Sequence, residues 1–132
     1  MAFDPKNLPD DVLGFLRERH VGTLATLDAR GRLHLVGIAF TYDPVDGLIR
    51  MITYGTSQKA KNLRQAGDGA RAAVGQVDGR RWLSFEGPAQ VVDDPPRVAK
   101  AVALHAARYK QPSDNPRRVA IELTPESVLG RL

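Results

Sequence analysis

The sequence predicts a mainly β fold with flanking helices: five or six antiparallel strands forming a small closed or half-closed barrel. Short apolar runs are separated by tight polar turns such as Asp28-Ala29-Arg30-Gly31 and Asp43-Pro44-Val45-Asp46-Gly47. No stretch between the first three runs is long enough for a crossover helix. Helical spacing of apolar residues appears in only three places. The chain has 132 residues, a length that suits one domain spanning residues 1–132.

Asn7-Leu8-Pro9-Asp10-Asp11 opens the first helix, with Asn as cap, Pro in the first turn and acids at the positive end. Leu8, Val12, Leu13 and Leu16 give it an apolar face, and it is expected to stop near His20 to Gly22. Val21 to Leu27, Leu33 to Tyr42 and Leu48 to Tyr54 read as a three-strand meander. Ser57 to Ala66 reads as a short helix with Gly67 as its stop. Ala70 to Val77 is a strand of small residues, and Asp78-Gly79 turns it into a long strand from Arg81 to Val92. In that strand Leu83, Phe85, Ala89 and Val91 share one face, and Trp82, Ser84, Glu86 and Gln90 the other. Asp93-Asp94-Pro95-Pro96 caps a third helix through Tyr109. A loop from Gln111 to Pro116 leads to a last strand, Arg118 to Leu123.

Composition excludes several functions. There are no cysteines, which removes disulfides, zinc knuckles, iron–sulfur clusters and thiol nucleophiles. The histidines His20, His34 and His105 match no metal-ligand spacing, so no metal is expected. The longest apolar run, Leu35 to Phe40, is far below the roughly 20 residues of a membrane span. With no signal-like N-terminus, a cytoplasmic location is expected. The formal charge is +4, but no basic run is interleaved with aromatics as in stacking platforms, so no nucleic-acid partner is expected.

Thr53-Tyr54-Gly55-Thr56-Ser57-Gln58-Lys59-Ala60-Lys61-Asn62 is the most informative stretch. It runs strand, glycine turn, helix start. Free amides, the Thr56 and Ser57 hydroxyls and the Lys59 ammonium together suit a phosphate or carboxylate. An ordinary Ser-capped helix with solvated lysines has the same pattern. Trp82 on the polar face of its strand, beside Arg80 and Arg81, suits a binding surface, or else packs under a helix. Arg117 and Arg118 could grip an anion or simply be solvated. His34 shares a strand face with Val36, Ile38 and Phe40, as an edge residue or as the floor of a pocket. No nucleophile–base constellation, nucleophile elbow or glycine-rich phosphate loop is present, so an enzyme of this sequence would rely on a bound cofactor.

The words GTSQKA (Gly55 to Ala60), QVDGRRWL (Gln76 to Leu83) and NPRRV (Asn115 to Val119) are joined by Phe15-Leu16, Glu18-Arg19-His20 and Val128-Leu129-Gly130. Together they resemble the flavin/deazaflavin oxidoreductases with a pyridoxamine 5'-phosphate oxidase-like split β-barrel, closest to the actinobacterial F420-dependent biliverdin reductase group. The resemblance covers nearly the whole chain. It implies a six-stranded antiparallel split barrel, coenzyme F420 as cofactor with FMN as the alternative, and hydride transfer to a conjugated acceptor such as biliverdin or another tetrapyrrole. A non-catalytic F420- or flavin-binding protein of the same fold is the other reading. The resemblance also implies a homodimer with the cofactor across the subunit interface.

Residue by residue, Ser57, Gln58 and Lys59 would hold the cofactor phosphate. His34, Leu35, Val36, Gly37, Ile38 and Ala39 would line the ring, largely through backbone groups. Thr53 and Tyr54 would flank its pyrimidine side. Gln76, Val77, Gly79, Arg81 and Trp82 would reach it from the partner subunit, and Arg64 and Arg118 would contact tail or substrate. Two departures stand out: Leu33 replaces the family's Pro before the His, and the chain stops at Leu132, where a C-terminal extension over the site is expected. The Glu-Phe-Trp and Arg-Leu-His runs of pyridoxamine-phosphate oxidases proper are absent, which speaks against that substrate.

Overall fold

The computed structural model describes residues 1–132. In chain order the elements are β1 (Ala2–Phe3), α1 (Asp10–Arg17), β2 (Gly22–Leu27), β3 (Leu33–Ile38), β4 (Phe40–Asp43), β5 (Leu48–Tyr54) and α2 (Gln58–Ala66). Then follow a 3-10 turn (Gly67–Gly69), β6 (Arg71–Asp78), β7 (Arg81–Val92), α3 (Pro95–Arg108), β8 (Arg118–Leu123) and β9 (Ser127–Arg131). The main path through the sheet is β3-β2-β6-β7-β8-β5-β4, and every pairing is antiparallel. Its two ends, β3 and β4, are consecutive in the chain yet share no ladder, so the barrel is split there.

The long strand from Leu33 to Tyr42 is therefore two strands broken at Ala39, one pairing with β2 and the other with β5. Arg108, the last residue of α3, and Tyr109, just after it, explain the break. The Tyr109 hydroxyl accepts the Phe40 N–H at 3.2 Å, and Arg108 Nη1 donates to the Phe40 carbonyl at 2.7 Å. The same two residues account for the early end of α1, at Arg17 instead of His20 to Gly22. Arg108 Nε donates to the Glu18 carbonyl at 2.9 Å, and the Tyr109 hydroxyl lies 2.7 Å from the His20 carbonyl. Those carbonyls face α3, and the chain leaves the helix at Glu18 in an extended conformation.

β8 is not the last strand. β9 pairs with β7 over Trp82 to Glu86, and β1 pairs with β9. β7 thus belongs to both halves of the sheet, turning from β9 to β8 near Gly87. A Cβ at Gly87 would lie 1.9 Å from the Thr124 carbonyl oxygen, so only glycine allows that crossing. Counting β3 and β4 as one bent strand, and setting aside the short β1 and the closing β9, leaves the expected six.

Phe40, Ile49, Met51, Val74, Leu83, Phe85, Ile121 and Leu123 fill the interior, and Val12, Phe15 and Leu16 of α1 seal one end. A barrel of this size has no room for a ligand inside, so binding falls to its edges. On the α3 side a polar network replaces apolar packing. Arg50, 4% exposed, reaches Asp43 at 2.6 Å and Asp46 at 2.7 Å, with Glu122 at 3.7 Å. Lys100 joins Asp46 at 2.6 Å, and Arg97 grips Glu122.

Candidate functional site

β5 hydrogen-bonds to β8 up to Tyr54 opposite Arg118, and the chain then turns through Gly55. Three hydrogen bonds hold the turn: the Ser57 N–H donates to the Tyr54 carbonyl at 3.0 Å, the Gly55 N–H donates to the Arg117 carbonyl at 3.1 Å, and Arg64 Nη1 donates to the Gly55 carbonyl at 2.8 Å. Ser57 caps α2, its Oγ accepting the Ala60 N–H at 3.3 Å. Thr53 Oγ1 donates to the same oxygen at 3.1 Å. Ser57 Oγ is thereby engaged twice as acceptor, which leaves its own proton to give. The first-turn amides of Gln58 and Lys59 have no intrahelical acceptor.

Beside this helix start lies a cleft of about 290 Å³ lined by Ile52, Thr53, Tyr54, Ser57, Lys59 and Arg118. Lys59 is half-buried with no carboxylate within salt-bridge distance, and burial pushes its ammonium below the ordinary lysine pKa. Arg118 is also half-buried; its Nη2 donates to the Ser113 carbonyl at 2.7 Å, and it too lacks an acidic partner. No acid stands in the first turn of α2. Cations at the positive end of a helix are mildly unfavourable, by a few tenths of a kcal/mol. An anion in the cleft would reverse that cost and gain charge-assisted hydrogen bonds. Ser57, Lys59 and Arg118, three of the residues that the sequence pattern offers for an anion, line this one cleft.

The split in the barrel supplies a second feature. Phe40 opposite Met51 is the last rung between β4 and β5. Before it β3 diverges, paired on one side only, while Thr53 and Tyr54 continue toward α2. The outer edge of β3, from His34 to Ile38, therefore offers unpaired backbone donors and acceptors, and Ala39 sits at the bend. On its inner face His34 stands opposite Thr26, and its Nδ1 is buried without a hydrogen-bond partner.

The expected residues fall into separate places. Thr53, Tyr54, Ser57, Lys59 and Arg118 line one cleft. The Gln58 amide turns along its own helix and donates to Asn62 Oδ1 at 2.7 Å. Arg64 does not line the cleft; it supports the Gly55 turn. Gln76 is buried, donating to the Phe15 carbonyl at 3.0 Å and accepting from Arg108 Nη2 at 2.6 Å. Gly79 takes the left-handed conformation of the β6–β7 turn. Arg81 binds Glu18 with two hydrogen bonds of 2.8 Å and also pairs with Asp78. Trp82 is on an outward sheet face beside Val77, not under a helix. Leu33 and Leu35 of β3 are exposed on the same sheet. Glu18, His20 and Asp78 lie close together, but the Arg81 guanidinium already ion-pairs with both acids.

Nothing in the sequence pattern points to Ile52 or Thr26, and Asn62 enters it only as the end of the Thr53 to Asn62 stretch, with no role of its own. Asn62 Nδ2 donates to Thr26 Oγ1 at 3.0 Å, and both residues are buried. The available signal was the four-residue spacing of Gln58 and Asn62 on one helix face.

The chain as a whole is similar to known proteins. The family profile described as pyridoxamine 5'-phosphate oxidase matches residues 8–131. An F420H2-dependent biliverdin reductase of Mycobacterium tuberculosis is 49% identical over 123 residues, covering 93% of this chain and 88% of its own. The crystal structure of a conserved hypothetical protein from Mycobacterium tuberculosis superposes with a TM-score of 0.78 at 26% identity, covering 94% of this chain and 84% of its own. A solved F420 reductase gives a TM-score of 0.72 at 24% identity, covering 92% of this chain and 98% of its own. At that identity the likeness speaks for the fold alone.

Proposed function

The chain belongs to the pyridoxamine 5'-phosphate oxidase family, and on that premise we propose that it is an F420-dependent oxidoreductase that reduces a conjugated acceptor such as biliverdin or a similar tetrapyrrole. The relative at 49% identity supports the activity. The observation that carries the site is the cleft where Lys59, Arg118 and an acid-free helix start converge without a carboxylate partner. These residues fit a cofactor bearing an acidic group.

Bound reduced F420 would supply the hydride; the protein's part is to bind and orient. The Ser57 hydroxyl, the amides of Gln58 and Lys59 and the Lys59 ammonium hold the acidic group. Arg118 closes the other wall of the cleft, where tail or substrate would lie. The edge of β3 from His34 through Ala39, including Leu35, Val36, Gly37 and Ile38, lines the ring, with Thr53 and Tyr54 on its opposite side. Arg64 acts indirectly, by fixing the Gly55 turn that aims the helix.

The reading includes a homodimer. Leu27, Leu33, Leu35, Val77, Trp82 and Leu129 are exposed hydrophobic residues on the strands of one half of the sheet, and such a surface suits burial against a second copy. The partner's copy of the β6–β7 turn, bearing Val77, Gly79, Arg81 and Trp82, would then complete the cofactor site, whereas the Gln76 side chain, expected to reach it too, is committed to Phe15 and Arg108 inside its own barrel. No helix is long and apolar enough to cross a membrane, and the reading places the protein in the cytoplasm. FMN is the second reading for the same cleft, favoured by the family's oxidase description.

Mixing the purified protein with reduced F420 and biliverdin tests the proposal. Loss of bilin absorbance together with coenzyme oxidation is expected. Absence of turnover across a panel of conjugated acceptors would overturn it, and a tightly bound FMN spectrum in the purified protein would favour the second reading.

A further inference from the structure

A buried chain of side-chain hydrogen bonds leads from the start of α2 into the barrel wall. Gln58 Nε2 donates to Asn62 Oδ1 at 2.7 Å, and Asn62 Nδ2 donates to Thr26 Oγ1 at 3.0 Å. Asn62 and Thr26 are each 2% exposed. The direction of the chain is fixed, because an amide NH2 group can only donate. Thr26 Oγ1 therefore accepts, and its own proton meets no acceptor in the structure. Directly across the ladder stands His34, on the same face of the sheet. Its Nδ1 is one of only two buried side-chain polar atoms in the protein without a partner. A spare buried proton and an unpartnered buried nitrogen thus sit on cross-strand neighbours, with no hydrogen bond joining them in the structure. Leaving both unmet is costly, about 1–3 kcal/mol for each group.

We infer that in solution the Thr26 hydroxyl closes on His34 Nδ1 and donates its proton to it, and so holds the imidazole as the Nε2–H tautomer that presents a donor to the bound cofactor. Three features support the assignment. The His34 side chain is partly exposed while its Nδ1 is not, so the rest of the ring is turned toward the outside. β3 is the strand bordering the split, where the ring of a cofactor would lie. The chain begins at Gln58, one residue after the Ser57 cap, which ties the ring's orientation to the helix start that holds the anion. His34 would then contribute a side-chain donor as well as backbone. Thr26 and Asn62 are positioning residues, acting only through it. This inference rests on the F420 reading for the identity of the ligand, but the inferred Thr26–His34 hydrogen bond would be a property of the protein alone.

Nitrogen-15 NMR of the histidine rings is the test, and with only three histidines in the chain a His34→Asn sample assigns the signals. In the ligand-free protein at a pH where the rings are neutral, His34 Nδ1 is expected to resonate as a hydrogen-bonded acceptor with Nε2 protonated. Thr26→Ser should preserve that signature. Thr26→Val should move the Nδ1 resonance to that of an unbonded nitrogen. An Nδ1–H tautomer in the unaltered protein, or identical spectra for the Val and Ser variants, would overturn the inference. If Thr26→Val fails to fold, the wild-type Nδ1 shift compared with that of free neutral imidazole still decides. Adding F420, with binding followed separately by its own fluorescence, tests the second half. The His34 Nε2 proton should shift as the cofactor binds. Binding without a shift rejects His34 as a ligand donor and leaves the F420 reading standing, whereas no binding rejects that reading itself.

Discussion

In the proposed site, Lys59 is the residue on which binding should depend most directly. Its ammonium is half-buried, lacks an acidic partner and lines the cleft beside the Ser57 cap. A charge-assisted hydrogen bond contributes about 1.5–3 kcal/mol, so Lys59→Ala should weaken F420 binding by one to two orders of magnitude in a fluorescence titration. Its melting temperature should change little, because the lysine makes no hydrogen bond or ion pair within the protein. Burial lowers the Lys59 pKa in the free protein. Affinity should therefore begin to fall at a pH below the roughly 10.4 at which free lysine titrates, and Lys59→Arg should move that limb to higher pH. Arg64 makes a contrasting prediction. It touches the Gly55 carbonyl, not the cleft, so Arg64→Gln should weaken binding without flattening its salt dependence. A direct phosphate contact would flatten it. The Ser57-Gln58-Lys59 pattern was legible because strand, glycine turn and capped helix are local. The side-chain positions of Gln58 and Gln76 were not, since each is fixed by partners that only the tertiary fold supplies.

The elements were largely legible in the sequence, and their misjudged limits share a cause. The end of α1 and the break between β3 and β4 are both set by Arg108 and Tyr109, about 70 to 90 residues away in sequence. Local periodicity carries no trace of such contacts. β9 was missed because Ser127–Arg131 is short, and only Val128 and Gly130 in it are buried. The attachment of α3 across β4, β5 and β8 depends on Arg50. Removing that cation leaves Asp43 and Glu122, each no more than 5% exposed, without their buried counter-charge. Arg50→Met should cost about 3–5 kcal/mol in a chemical denaturation experiment.

Acid should act on the same region. Hydrogen bonds from Lys100 and Arg50 hold Asp46 at about 2, and those from Arg81 and His20 hold Glu18 at about 2. Burial raises the Asp43 pKa, but hydrogen bonds from Arg50 and from two backbone amides outweigh it and leave the carboxyl below its ordinary value. Folded values below unfolded ones mean that the stabilisation is complete above the ordinary carboxylate range of about 4 and is lost as pH falls toward 2. The denaturation midpoint should stay level as far as these carboxylates set it between pH 7 and 5, and drop below about 4.

For the whole molecule, the outward sheet face and the split barrel edge belong to one design. Leu33 and Leu35 are 83% and 67% exposed, a large apolar area for a chain standing alone. Leu35→Asp should yield a folded monomer by sedimentation, with F420 affinity reduced because the partner's segment is missing. A Leu35→Asp protein that stays dimeric would place the interface elsewhere. The alternation of the strands made a closed or half-closed barrel legible and the family resemblance implied the split, but alternation alone could not place the split, because it depends on which strands fail to pair. The most direct test is a crystal structure of the protein with F420. It should place the cofactor's phosphate within hydrogen-bond reach of the Ser57 hydroxyl, the first amides of α2 and Lys59, with its ring along the edge of β3. A bound cofactor whose phosphate lies away from that helix start would contradict the account.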